Sequence, residues 1–110
     1  MADVSTFLSA LKDSVKQLVT QTLADHREAA VKDANAFLEK TRVDLERWTK
    51  ELGAGKLKKD DFEFLVRGKK DLAEMEALKQ AGLALVRVDQ FRKSVFDLVV
   101  GTAFKMFPKL

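Results

Sequence analysis

The first 52 residues contain neither glycine nor proline, and apolar or small side chains recur through them at steps of three and four. Leu8, Leu11, Val15, Val19, Leu23, His26, Ala30, Ala34, Phe37, Thr41, Leu45, Trp48 and Leu52 follow this spacing. They define one face of a continuous helix, or of two helices joined by a slight bend. At a rise of about 1.5 Å per residue, an uninterrupted helix over this stretch runs roughly 70 Å. A chain of 110 residues makes one domain, and no globular core of that size is so wide. The pattern therefore predicts an elongated molecule.

The segment Gly53-Ala54-Gly55-Lys56-Leu57-Lys58-Lys59 is the one strongly marked turn. The next helix is expected to start at Asp60 or Asp61. With Asp60 as N-cap, Glu63 takes the third helical position, as in a capping box. A second pattern then runs to Phe107 through Phe62, Leu65, Leu72, Met75, Leu78, Gly82, Leu85, Val88, Phe91, Val95, Leu98, Thr102 and Met106, with a bend or break expected at Gly68. Pro108 is the only proline and follows it.

Two equal arms with a short connection predict an all-α fold: one helical domain over residues 1–110, built as a long antiparallel helical hairpin. The helices run from about residue 3 to 52 and from about 60 to 107, the turn spans 53–59, and breaks are allowed near residues 25 and 68. Paired residue numbers then total about 112. That register sets Ala29 and Ala30 against Ala81 and Gly82, Leu45 and Trp48 beside Phe64 and Leu65, and Phe7, Leu8, Leu11 and Val15 against the last helix.

Residues 94–107 are apolar around most of their circumference. Ser94, Asp97, Gly101 and Lys105 form only a narrow polar or small stripe, extended backwards by Arg87 and Gln90. Such a helix needs neighbours on more than one side. The favoured remedy is a second copy, giving a homodimeric, coiled-coil-like four-helix bundle. Its expected interface is Phe7, Leu11, Val15, Leu18, Phe91, Val95, Leu98, Val99, Phe104 and Phe107. The alternative is a compact monomer, with kinks near Ala24-Asp25-His26-Arg27 and near Gly82 folding the chain into a short bundle.

Cysteine is absent, which removes disulfides and thiolate chemistry and fits a cytoplasmic location. The start of the chain lacks the basic leader and apolar run of a secretory signal. No run of about 20 apolar residues occurs, so no spanning helix is expected. The net charge is +3, concentrated toward the C-terminal end. Lys69, Lys70, Arg87, Arg92 and Lys93 alternate with acids, tyrosine is absent, and nucleic-acid binding is not expected beyond weak contact.

His26 is the only histidine and has no ligand or base partner three or four residues away, so it is assigned to the seam or its boundary. Asp60, Asp61 and Glu63 form the densest acidic group, which is assigned to helix capping rather than to a metal. No serine lies in a nucleophile elbow, and no glycine-rich phosphate loop occurs. No catalytic, cofactor-binding or metal residues are expected, and no enzyme activity. The predicted role is a self-associating helical interaction protein, with an unidentified protein as a further partner. The alternative is a membrane-surface module using Phe104-Lys105-Met106-Phe107-Pro108-Lys109-Leu110.

Residues 52–72, LGAGKLKKDDFEFLVRGKKDL, resemble the turn of the short bacterial helical-hairpin domains of the SHOCT type. The likeness lies in Gly55, Leu57, Asp60-Asp61-Phe62-Glu63, Leu65 and the lysine pair before Leu72. Lys58 and Lys59 replace the hydroxyl cap of that pattern, and Gly68 interrupts its second helix. The resemblance covers about a fifth of the chain and implies an oligomerisation or interaction role, without catalytic residues.

Overall fold

The computed structural model describes residues 3–69 and 74–107. Leu72, Lys70 and the tail from Pro108 lie outside the described residues. The chain forms α1 (Val4–Thr22), a 3-10 turn (Ala24–His26), α2 (Arg27–Lys40), α3 (Arg42–Gly53), α4 (Lys59–Gly68), α5 (Glu76–Gln80) and α6 (Leu85–Met106). The all-α class is the one the spacing predicts, and breaks fall at both expected places.

The two arms are not continuous rods, however: the chain takes the compact alternative, kinked near residues 24–27 and near Gly82, and measures 44 × 23 × 19 Å rather than roughly 70 Å in length. The hairpin is folded in two. Its register survives at several points, although Phe64, expected beside Trp48, stands 74% exposed and Lys69 lies 6.0 Å from the Trp48 ring instead. Phe7 meets Phe107 edge-on at 5.6 Å, Arg87 donates to the Thr22 carbonyl at 3.2 Å, and Lys69 pairs with Asp44 at 2.8 Å. Ala29 and Ala81 line one cleft, as predicted. Yet residues 23–26 and 81–84 turn the tip half, α2 to α5, back onto α1 and α6. Lys12 then reaches Glu39 at 2.9 Å, Phe37 packs on Phe96 at 4.9 Å, and Phe62 lies 5.9 Å from Phe104. The turn after α3 comes back so far that Gly53 faces the Phe107 ring.

This folding answers the problem posed by α6. Its apolar circumference is covered by α1 on one side and by α4 on another. Six of the ten residues expected between two copies, Phe7, Leu11, Val15, Phe91, Val95 and Val99, are buried inside the single chain. Leu18, Leu98, Phe104 and Phe107 are half-buried against the same core. In this fold six of the ten are core and the other four pack partly buried against it. The correction has a simple cause: an arm that bends supplies the second neighbour that a straight arm cannot.

No helix breaker forces the first bend. Leu23 is buried, its N–H bonds the Val19 carbonyl, and the chain turns there. Helix propensities differ by under about 1 kcal/mol per ordinary residue, whereas burying one large apolar side chain contributes about 1.5–3 kcal/mol. Phe37, Leu38 and Phe62 all become inaccessible in the folded-over form, so burial wins. Between α2 and α3, Thr41 is buried and its Oγ1 donates to the Phe37 carbonyl at 2.8 Å, a back-bond that bends a helix.

Capping also differs from expectation. Lys58, not Asp60 or Asp61, is the N-cap of α4, and no side chain caps it. The helix starts earlier than expected, which moves Asp60 and Asp61 into its first turn, where they suit the helix dipole. Glu63 bonds Arg67 at 2.8 Å instead of closing a capping box. At α1, by contrast, Asp3 accepts from the Thr6 amide at 2.8 Å.

That amide holds the Asp3 carboxyl below its ordinary 3.8, and the Lys12 ammonium holds Glu39 below its ordinary 4.5. Both pKa values are depressed by folding. The stabilisation is therefore complete above the ordinary values and is lost as pH falls through the lower folded ones. The Thr6 amide resonance should titrate with a midpoint under 3.8, and Asp3→Asn should abolish that transition. A midpoint at or above 3.8 would contradict the cap.

Candidate interaction surface

Among the described residues a trough of 480 Å³ lies between α4 and α6. Glu63, Val66 and Arg67 line it from α4, and Lys93, Phe96, Asp97, Val100 and Gly101 from α6. The two helices pack antiparallel, with Lys59 5.4 Å from the Phe104 ring at one end. Val66 and Phe96 are nearly inaccessible and form an apolar floor. The rim carries two acids and two bases, each acid four residues from a base on its own helix. Glu63 and Arg67 are already joined at 2.8 Å.

One feature leaves this trough open to another molecule. A Cβ added at Gly101 would meet nothing within 4 Å, so the floor dips there. Outside the trough lining, Phe64 on α4 stands 74% exposed, which is unusual for a phenylalanine. The α6 wall was legible in the sequence, because Asp97 and Gly101 belong to the narrow polar stripe. The α4 wall was not, because nothing local shows that residues 63–67 come to lie beside 93–101.

A second cluster lies at the first bend. Arg87 reaches the Thr22 carbonyl and lies 3.8 Å from Asp25 Oδ1. Asp25 Oδ2 is 3.1 Å from the buried His26 Nδ1, an ion-pair distance whose alignment falls short of a regular hydrogen bond. The backbone amide of Asp25, then the charges of His26 and Arg87, hold the Asp25 carboxyl below the usual range. His26 thus occupies the boundary position assigned to it, one-quarter exposed.

Sequence reasoning missed Asp33. It is buried on α2, and its two carboxylate oxygens accept from the Ala77 amide at 2.9 Å and the Leu78 amide at 2.8 Å. It caps α5 from another helix, where Met75, with φ 56°, supplies no cap of its own. The signal was an aspartate beside the apolar stripe next to Ala34. Among the described residues no group of three or more His, Asp or Glu side chains is placed to hold a metal ion, and no helix is long and apolar enough to cross a membrane.

The site and the fold define a small all-α bundle built from one folded-over helical hairpin, with a charged, apolar-floored trough on its outer face. Comparison with protein-family models, with curated proteins and with solved structures finds no match.

Proposed function

We propose that the chain is a non-enzymatic helical interaction module whose working surface is the trough between α4 and α6. Its partner is an amphipathic helix of another protein, with an apolar stripe for the floor and charges of both signs for the rim. The observation that carries this is the pairing of an apolar floor at Val66, Phe96 and Val100 with a rim of Glu63, Arg67, Lys93 and Asp97. A lipid surface would favour a single sign of charge, and the rim has none in excess. From Lys93 to Gly101 the trough runs about 12 Å, enough for two turns of a docked helix. The likeness of the turn to SHOCT-type hairpins agrees with this role.

The membrane-surface alternative has less support. Phe104 and Phe107, which were to enter the lipid, pack against Phe62 and Phe7.

A photoreactive side chain at position 101 tests the proposal, because the added group meets open space. In cells that make the protein, irradiation should give a discrete protein adduct. The adduct should be absent when the group stands at exposed Gln21 and should weaken at least about tenfold with Arg67→Glu plus Lys93→Glu, as loss of two rim contacts implies. No adduct specific to position 101 would overturn the assignment.

A further inference from the structure

We propose that two copies of this chain exchange halves, forming an elongated domain-swapped dimer in which α2 to α5 of each packs on α1 and α6 of the other. This is independent of the trough as a docking site. The halves are joined only by residues 23–26 and 81–84, and they meet through Phe37 on Phe96, Phe62 by Phe104 and Lys12 with Glu39. Opening both bends lets the same contacts form between two chains, the usual low-cost route to such dimers.

Both bends are suited to straightening. The first contains no glycine or proline, and the apolar stripe passes through it in phase, from Val19 to Leu23, His26 and Ala30. A straight α1–α2 is therefore a regular amphipathic helix. The folded form gives His26 Nδ1 only the 3.1 Å contact with the exposed Asp25 carboxylate, a neighbour in sequence that opening the bend does not take away. At the second bend Gly82 has φ 86°, and Ala84 begins α6 with no side-chain cap. There Leu85 and Val86 are each 68% exposed. Leu85 is a seam position of the straight arm, so the open form has a use for a side chain that the closed form leaves in water. An open chain alone would expose Phe37, Phe62 and Phe96 together. A second copy is the partner that carries their complement.

Gly82→Ala is the discriminating variant. A left-handed φ disfavours alanine in the closed form and a helical φ does not, so the dimer should rise at least about fivefold over wild type. Light scattering with small-angle scattering should show doubled mass and a maximum dimension near about 70 Å, against 44 Å for the monomer. His26→Leu, which strengthens the seam without touching Gly82, should act the same way should Gly82→Ala fail to fold. In Lys12→Cys/Glu39→Cys treated with a short bis-maleimide, the monomer peak should give internal links and the dimer peak a covalent dimer on denaturing gels. Compact monomers for both hinge variants would overturn the inference. So would a dimer whose links are all internal, and that result would leave the trough open to a second copy as its occupant.

Discussion

Replacing Phe37 with alanine is expected to destabilise the molecule by about 3–5 kcal/mol, the range for truncating a buried phenylalanine. Phe37 is 2% exposed and sits edge-to-face on Phe96 at 4.9 Å, where the tip half lies on the base half. Its removal takes away the transfer energy of the ring, the aromatic contact and the packing of its neighbours. Domains of this size have about 5–15 kcal/mol in total, so the variant should be close to unfolding at room temperature. Urea denaturation checks this: the midpoint should fall steeply while the slope holds. Val43→Ala, at a residue 75% exposed, should move the midpoint little and serves as the control. A loss under about 1 kcal/mol for Phe37→Ala would mean the two halves are not packed as described.

Asp33→Ala should cost about 2–4 kcal/mol, for a different reason. The variant leaves the Ala77 and Leu78 amides without acceptors, and Leu78 is fully buried. Unmet buried donors cost about 1–3 kcal/mol each. Asp33→Asn keeps one acceptor oxygen and should lose roughly half as much. Hydrogen exchange separates this from general loosening: the Ala77 and Leu78 amides should exchange faster than those in the middle of α1. Equal protection in Asp33→Ala would show that another group caps α5.

These two residues also divide what local pattern can reveal from what it cannot. Phe37 belongs to the stripe with a period of three to four, and every member of that stripe in the first arm except His26 is buried. A buried face is a property of spacing, so it is legible. Asp33 is one charged residue among many on a mixed face. Its task depends on where α5 starts, more than forty residues away. The misplaced cap of α4 is a smaller case: the acids were correctly placed at a helix start, but the start was offset, because helix ends depend weakly on any single residue.

The candidate trough divides the same way. Its α6 wall is the narrow stripe of Asp97 and Gly101, read correctly as the one polar edge of an apolar helix. Its α4 wall faces α6 only because the hairpin folds over. The need for a second neighbour of α6 was also read correctly, and a second copy was assigned to meet it. In the closed chain the molecule meets that need with its own tip half.

The residue order alone determined the helical class, the inward faces and the broad pairing of one arm with the other, because these follow from side-chain period and from a glycine-marked turn; it did not set where each helix starts and stops. Tertiary structure decided that the paired arms double back at residues 23–26 and 81–84. That choice compares weak local preference for a straight helix with the burial of Phe37, Phe62 and Phe96; the sequence allowed kinks near residues 24–27 and Gly82, but only burial between distant residues selected them over straight arms.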